Sequence, residues 1–211
     1  MFIGNLFEPL KVAFVATYPP RRCGIATYTA DLTGNFRKLY REGNPNVEQN
    51  FFEVIALNNR PQGYPYESEV SFHIRDQHRG DYQRAADFIN VSPIDVVCLQ
   101  HEFGIFGGED GSYIIHLLRA LKKPAVTTFH TILAEPTPGQ KKTMSRICEL
   151  STLVVVQAEM AVRLLKEVYA VPAAKIRMIP HGAPDVPFLD SSFYKERFQA
   201  EGRTLLLTFG L

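Results

Sequence analysis

The chain has 211 residues, of which 45% are hydrophobic and 21% charged, an ordinary composition for one well-packed globular domain with an appendage. Its 23 Lys and Arg residues are balanced by 22 Asp and Glu residues, which excludes the strongly basic surface typical of nucleic-acid-binding domains. No apolar run is long enough to cross a bilayer, and the first residues lack the basic start and cleavage site of a secretion signal.

Apolar runs alternate with helical patterns from the first strand to Pro180, which is typical of a parallel α/β sheet. The first half predicts strands at residues 12–16, 51–57, 70–74 and 95–100. Helices are predicted after the first and third of these strands, because apolar side chains recur there at helical spacing. These side chains are Ile25, Tyr28, Thr29, Leu32, Phe36 and Leu39 in the first helix, and Tyr82, Ala85, Ala86 and Ile89 in the second.

The second half continues the same alternation. Strands are predicted at residues 125–129, 153–156 and 176–179. Thr137 and Gln140 have the spacing of a capping box, which predicts that a helix starts there. The helical stripes are Ile114, Leu117, Leu118 and Leu121; Met144, Ile147 and Cys148; and Ala161, Leu164, Leu165 and Val168.

The composition changes after Pro180. Residues 183–188 have the proline spacing of an extended linker, and a short charged helix is predicted at residues 192–201. Residues 204–209 are a fresh β-type run, interpreted either as the first strand of a second, truncated α/β domain or as an extra edge strand of the first sheet. The predicted parts are a first domain at 1–182, a linker with a short helix at 183–202, and the orphan strand at 203–211.

Three of the six histidines directly follow predicted strands, at the sheet edge where open α/β proteins bind ligands. His130 is interpreted as a functional residue that hydrogen-bonds a sugar hydroxyl or moves a proton near neutral pH. His101 is either a similar residue or a buried histidine satisfied by a backbone carbonyl. His181 is more typical of a turn or a hinge than of direct chemistry.

The segment after the fourth strand also carries an acidic residue and several glycines. Glu102 either accepts hydrogen bonds from an acceptor hydroxyl or caps the loop. Gly107, Gly108 and Gly111 indicate either a flexible loop that closes over a substrate or a tight connection without a ligand.

The first loop has features of an anion site. Gly24 stands just before a predicted helix, where backbone N–H groups and the helix dipole favour a bound anion. Arg21 and Arg22 would add charge-assisted hydrogen bonds to a phosphate. The alternative is a plain strand-to-helix turn, since the segment matches neither the dinucleotide-binding nor the P-loop pattern.

A metal site is not expected. His101, Glu102 and His130 are conceivable ligands, but no two of them have the i, i+4 spacing of a helical pair. The three cysteines are widely spaced and odd in number, which indicates reduced thiols in a cytoplasmic protein.

Four segments, in the correct order, resemble family 4 glycosyltransferases. They are YPPRRCGIATY at residues 18–28, QHEFGIF at 100–106, TFHT at 128–131 and IPHG at 179–182. The likeness extends from residue 12 to residue 211. It implies a GT-B fold, in which two Rossmann-like domains face each other across a cleft and the N-terminal domain chiefly binds the acceptor.

The resemblance also implies roles for single residues. It places Gly24 near the donor diphosphate, His130 at the transferred sugar and Glu102 on the acceptor side. Cys23 stands where many relatives have a second glycine, which weakens the diphosphate assignment. The neighbours that complete the predicted site are Arg21 and Arg22 at the diphosphate, His101, Gly107 and Gly108 on the acceptor side, and His181 and Gly182 at the hinge or cleft.

The predicted function is therefore that of the N-terminal half of a retaining, metal-independent glycosyltransferase. Its partners would be a nucleotide-sugar co-substrate, a carbohydrate or other hydroxyl acceptor, and the missing C-terminal domain, with no other cofactor. Without that domain, which carries the family's Glu-x7-Glu element, the fragment is expected to be inactive, because it cannot position the donor. The alternatives are a non-catalytic module that binds a glycan or phosphorylated metabolite, and a complete mononucleotide-binding α/β protein.

Overall fold

A computed structural model describes residues 10–43, 51–183, 187, 189–206 and 208. Within these residues seven strands form one sheet in the order β3-β2-β1-β4-β5-β6-β7, and every neighbouring pair is parallel. The strands are β1 (Val12–Ala16), β2 (Phe52–Asn58), β3 (Val70–Arg75), β4 (Val96–His101), β5 (Ala125–Phe129), β6 (Leu153–Val156) and β7 (Ile176–Met178).

Helices connect most of the strands, and the predicted Rossmann-like α/β fold is confirmed. The helices are α1 (Gly24–Gly43), α2 (Arg79–Val91), α3 (Ile114–Ala120), α4 (Pro138–Leu150), α5 (Glu159–Glu167) and α6 (Ser191–Glu196). Short 3-10 turns cover Phe103–Ile105, Glu109–Gly111 and Ala173–Lys175.

Apolar side chains cover both faces of the sheet. In β1, all of whose residues are buried, Ala13 and Val15 belong to the larger core, whereas Val12 and Phe14 belong to a smaller cluster. Successive side chains of a strand point to opposite faces, so these are two separate cores. Phe36 of α1 packs edge-on against Phe14, with ring centroids 5.9 Å apart, and so covers the second face.

One predicted core residue of α1 is not buried. Leu39 was placed on the inward stripe, but it is 70% exposed. The helix has 20 residues and is about 30 Å long. Strand β1 has only 5 residues and spans about 17 Å. The last turns of α1 therefore extend beyond β1, and there Tyr40 stacks on Phe51, beside β2, while the adjacent Leu39 faces away from this contact.

The predicted capping box at the start of α4 is confirmed. The Thr137 hydroxyl accepts a hydrogen bond from the Gln140 backbone N–H at 3.2 Å. The Gln140 side chain in turn accepts one from the Thr137 N–H at 2.9 Å. Pro138 occupies the first helical position, so local sequence alone defines where this helix begins.

The strand order creates a switch point between β1 and β4. The chain runs from β1 outward to β2 and β3, then returns to the other side of β1 to form β4 and β5. Helices leaving β1 and β4 therefore diverge, and a crevice opens at the carboxyl ends of these strands. The loops that follow β1, β4 and β5 all meet at this edge.

The chain divides into two compact units, residues 1–180 and 181–211. In the second unit α6 is shorter than the predicted helix, and residues 204–206 have no regular secondary structure. Residues 184–186 and 188 of the predicted linker, and residues 207 and 209–211 of the predicted strand, lie outside the described residues. The proposed domain boundaries and the orphan strand stay predictions. Across the described ranges, no helix is long and apolar enough to span a membrane.

Candidate active site

The first loop places Gly24 at an open helix N-terminus. The Cys23 carbonyl accepts the N–H groups of Ala26 and Thr27 at 3.1 and 3.2 Å, so it caps the first turn of α1. Gly24 is exposed, and no atom lies within 4 Å of the position that a Cβ would take there. Packing therefore does not require a glycine at this position, and room for a ligand remains in front of the helix. The predicted diphosphate contact stays a prediction.

Arg21 and Arg22 lie on one side of this loop. The Arg21 guanidinium donates a hydrogen bond to the Leu57 carbonyl, near the end of β2, at 3.1 Å. Because β2 and β4 flank β1 on opposite sides, this bond holds Arg21 on the side away from β4 and β5. Arg22 is exposed beside it.

His130 stands at the end of β5, facing the switch point. Its backbone N–H donates to the His101 carbonyl at 3.0 Å, and its Nε2 lies 3.0 Å from Gln100 Oε1. The Gln100 amide nitrogen lies 3.3 Å from Cys98 Sγ, an arrangement that turns the amide oxygen toward His130. Nε2 is therefore the protonated nitrogen and donates to Gln100. The imidazole of His130 is partly exposed.

An aromatic contact connects His130 to the first helix. The Tyr28 ring meets the imidazole edge-on, with centroids 4.6 Å apart and planes inclined by 82°. Tyr28 lies one helical turn after Gly24, so the open end of α1 and the end of β5 meet across the crevice. We call Gly24, Tyr28, Gln100, Glu102 and His130 the switch-point site.

Glu102 caps the turn that follows β4. One carboxylate oxygen accepts the Phe103 N–H at 2.9 Å, and the other accepts the Thr131 hydroxyl at 2.5 Å. The capping interpretation is therefore confirmed. The side chain is half-buried, and an ionised carboxylate accepts more than two hydrogen bonds, so the acceptor-side role stays a prediction.

His101 is not available to a ligand. Its side chain is fully buried among the rings of Phe103, Phe106 and Phe129, at centroid distances of 5.1, 5.4 and 5.0 Å. Neither ring nitrogen has a hydrogen-bond partner in the described part of the chain. A side chain without exposed surface cannot contact an acceptor. The structure therefore corrects this prediction and gives His101 a packing role.

The burial of His101 should make the free energy of unfolding depend on pH. Burial, with a smaller effect from His130, lowers the pKa of His101 from 6.5 to about 3. Below pH 6.5 the unfolded chain binds a proton that the folded chain does not. As the pH is lowered from 6.5 to about 3, the free energy of unfolding therefore falls by about 1.4 kcal/mol per pH unit. Above pH 6.5 the imidazole is neutral in both states, and this loss of stability is absent.

We expect His101→Phe to make the free energy of unfolding depend less steeply on pH, by the contribution of one proton. Urea unfolding between neutral pH and about pH 4 measures this slope. His73 is an exposed histidine of β3, so His73→Gln is the matched control and should keep the wild-type slope. Identical slopes for wild type and His101→Phe would contradict the burial argument.

The glycines after β4 form a tight connection. Gly107 is buried, and a Cβ there would overlap the carbonyl oxygen of Asp76. Gly108 has a φ of 79°, and a Cβ there would lie 2.5 Å from the Tyr113 ring. Gly111 also has a positive φ, of 70°. Close packing therefore supports the tight connection over the flexible loop at Gly107 and Gly108, and their acceptor-side role stays a prediction.

The remaining predicted residues lie in the second unit. His181 and Gly182 are exposed, and His181 Nδ1 lies 2.6 Å from the Gly182 carbonyl. The division between the two units falls directly before His181. Their role at a hinge or cleft stays a prediction.

The described ranges contain no group of three His, Cys, Asp or Glu side chains that could hold a metal ion. All three cysteines are free thiols. Burial raises the pKa of Cys98 and of Cys148 to about 12, so neither is a thiolate at neutral pH.

Two members of the switch-point site were not predicted as site residues. Gln100 is fully buried yet polar, and a polar side chain next to the apolar run of β4 is the sequence signal that would have indicated it. Tyr28 was assigned to the apolar stripe of α1, and only the strand order shows that it meets His130.

These features define a Rossmann-like α/β domain with a candidate ligand site at the switch point of its sheet. Residues 24–185 match the sequence profile of Glycosyltransferase Family 4. This match covers well over half of the chain, and the chain therefore belongs to Glycosyltransferase Family 4.

The fold is similar to the crystal structure of a glycosyltransferase from Rickettsia africae ESF-5, with a TM-score of 0.57 and 14% sequence identity. The similarity covers 92% of this chain and 50% of that one, so the chain spans half the length of that structure. At this identity the likeness shows the fold alone. A comparison with curated proteins found no match.

Proposed function

We propose that this chain is the acceptor-side, N-terminal domain of a retaining, metal-independent glycosyltransferase that works in the cytoplasm. The enzyme would move a sugar from a nucleotide-sugar to a hydroxyl group of an acceptor, with no further cofactor. Family membership supports glycosyl transfer. The finer assignments come from the resemblance of the motifs and from the site geometry.

The observation that carries this proposal is the meeting of α1 and β5 at the switch point. Tyr28 contacts His130, so the helix N-terminus at Gly24 and the imidazole face one crevice. Transfer from a nucleotide-sugar requires a group that holds the diphosphate close to a group that contacts the sugar. A helix N-terminus favours the first through its dipole, and a fixed imidazole suits the second.

The hydrogen bonds around His130 support a positioning role. Gln100 is fully buried, and its amide oxygen accepts a hydrogen bond from the Nε2–H group, so the imidazole is held in one orientation and one tautomer. Pre-oriented polar groups stabilise charge that develops during a reaction without reorganising at that moment. Glu102, at the end of the neighbouring strand, would accept hydrogen bonds on the acceptor side.

A second domain would complete the binding site for the donor. The structural relative is twice as long as the region it shares with this chain, which supports a two-domain enzyme. In retaining transfer, as the resemblance implies, the donor phosphate itself deprotonates the acceptor on the same face of the sugar. The 211-residue chain is therefore expected to be inactive by itself.

Sugar transfer by two proteins tests this proposal. They are the 211-residue chain alone and the longest reading frame that contains it, here called the two-domain protein. Both are incubated with a panel of nucleotide-sugars and hydroxyl acceptors, and the released nucleoside diphosphate and the product's anomeric configuration are recorded. We expect transfer with retention, undiminished by a chelator, only from the two-domain protein.

Each other outcome has a defined meaning. Transfer by the 211-residue chain alone would contradict the assignment as a half-enzyme. Carbohydrate binding without transfer in the two-domain protein would contradict the enzymatic function and support a binding module. Inversion, or loss of activity in the chelator, would contradict the retaining or the metal-independent mechanism respectively.

A further inference from the structure

A cavity beside the first loop is lined by three arginines. It has a volume of about 620 Å³ and lies between the loops that follow β1 and β2. Its lining residues are Pro20, Arg21, Arg22, Cys23, Asn59, Arg60, Tyr64 and Pro65. We call it the arginine pocket. Its lining ends at Cys23, directly before Gly24, and among the described residues it includes neither Gly24 nor His130, so the pocket adjoins the switch-point site on the β2 side.

The charges of the pocket are not neutralised by ion pairs. In the part of the chain that the structure describes, Arg21, Arg22 and Arg60 take part in no salt bridge. The positive charge of Arg21 acts on the carboxylate of Asp76. Burial raises the pKa of Asp76, and a backbone hydrogen bond from Gln77 and the charge of Arg21 act in the opposite direction. The lining of the pocket has three guanidinium groups and no carboxylate, so the pocket is positive.

Two of the arginines are held in place before any ligand arrives. Arg21 donates to the Leu57 carbonyl at 3.1 Å. The Arg60 guanidinium lies over the Tyr64 ring, 4.8 Å from its centroid, and the Tyr64 hydroxyl donates to Asn59 at 2.8 Å. Arginine side chains lose conformational entropy when they bind, so this pre-orientation reduces the cost of binding. Planar guanidinium groups are suited to phosphate and carboxylate oxygens.

A second, smaller cavity of about 330 Å³ adjoins the arginine pocket and shares Pro20 and Pro65 with it. Its acidic residues are Glu67 and Glu69. Glu69 is already bound by Arg37 and by the Tyr18 hydroxyl. An anion would therefore bind on the arginine side of these prolines, where no carboxylate lines the wall.

The position of the pocket argues against the donor diphosphate as its ligand. Arg21 and Arg60 lie at the end of β2, and His130 follows β5, with β1 and β4 between them. Three strand spacings separate β2 from β5, about 14 Å. In a nucleotide-sugar the diphosphate is bonded directly to the sugar carbon that reacts, so it must lie within a few bond lengths of a sugar at His130.

We propose that the arginine pocket binds an oxyanion, a phosphate or a carboxylate, carried by the acceptor. This inference rests on the proposed glycosyl transfer and makes the acceptor of that reaction an anionic molecule. It moves Arg21 and Arg22 from the donor diphosphate to the acceptor, and it adds Arg60. The oxyanion anchors one end of the acceptor on the β2 side of the crevice and leaves a hydroxyl at the other end to reach the switch-point site.

Anion titration of the 211-residue chain tests the pocket directly. Inorganic phosphate and, separately, acetate are titrated by calorimetry at constant ionic strength. The variant is Arg22→Gln/Arg60→Gln, which leaves the Arg21 hydrogen bond intact. The control is Arg41→Gln/Arg163→Gln, which removes the same charge from exposed arginines of α1 and α5. Unchanged circular dichroism spectra establish that both variants fold.

We expect saturable binding in the wild type and the control, and at least ten-fold weaker binding in Arg22→Gln/Arg60→Gln. Binding of phosphate alone would favour a phosphorylated acceptor, and binding of acetate, with or without phosphate, would favour an acceptor with a carboxylate. Each of these results supports the pocket. No saturable binding of either anion, or equal affinity in all three proteins, would overturn the proposal.

A competition experiment separates the acceptor from the donor. Uridine diphosphate and pyrophosphate are each titrated against bound phosphate, since the phosphates of both can enter an oxyanion pocket. If uridine diphosphate binds more tightly than pyrophosphate, and Arg22→Gln/Arg60→Gln removes this difference, the pocket recognises the nucleotide of the donor and the acceptor assignment is wrong. Because these titrations need no sugar transfer, they remain informative if the two-domain protein proves inactive. Conversely, transfer without any anion binding would leave the glycosyltransferase proposal standing and remove this one.

Discussion

Replacing His130 with alanine is expected to reduce the kcat of the two-domain protein by about 10²-fold to 10³-fold. The imidazole is partly exposed at the end of β5 and is held by Gln100 on one side and Tyr28 on another. Alanine removes the polar group that would contact the transferred sugar but leaves the backbone hydrogen bond to His101. Steady-state rates of nucleoside diphosphate release, with donor and acceptor varied in turn, measure the effect.

The control for this prediction is His73→Ala, which removes an exposed histidine from β3, the strand at the far edge of the sheet. It should keep wild-type kcat and KM. A His130→Ala protein with unchanged kcat would remove His130 from the chemistry. A protein with raised KM and unchanged kcat would mean that His130 binds ground state and transition state equally.

A methyl group at Gly107 is expected to lower the free energy of unfolding by about 3 kcal/mol, at the upper end of the effects of overpacking. The Cβ of Gly107→Ala would overlap the Asp76 carbonyl oxygen and lie 3.0 Å from the Tyr113 ring. Neither neighbour moves easily, because the Tyr82 hydroxyl donates to that same carbonyl at 2.9 Å and accepts the Gly107 N–H at 3.0 Å. Urea unfolding followed by circular dichroism measures the loss.

Gly104→Ala is the matched control, since it lies in the same connection and nothing stands within 4 Å of its Cβ position. Its free energy of unfolding should change by less than about 0.5 kcal/mol. Equal stability of the two variants would contradict the tight connection and support the flexible loop that the glycine content first indicated.

Most strands and helices could be predicted because each carries its own periodicity. The buried run of β1 and the capping box of α4 are local signals, and the structure confirms both. Leu39 shows the limit of this reasoning. It has the correct helical spacing, but beyond the five residues of β1 the helix packs through Tyr40 on Phe51, and Leu39 stays exposed.

The site was predicted less completely. His101 and His130 gave the same signal, a histidine at the end of a strand. Only the packed structure separates them, because three phenylalanine rings enclose His101 whereas His130 stays partly exposed. Glu102 left two interpretations open, and its contact with Thr131, 29 residues away, supports the capping one.

The sequence by itself determined the α/β class, the identity of most elements, and the set of loops in which function is expected. It could do so because hydrophobic periodicity and capping act between residues a few positions apart. The tertiary structure alone decided the strand order, the contact of Tyr28 with His130, and the gathering of Arg21, Arg22 and Arg60 around one pocket. These juxtapositions join residues far apart in the chain, and they arise only when the sheet places β2, β1, β4 and β5 side by side.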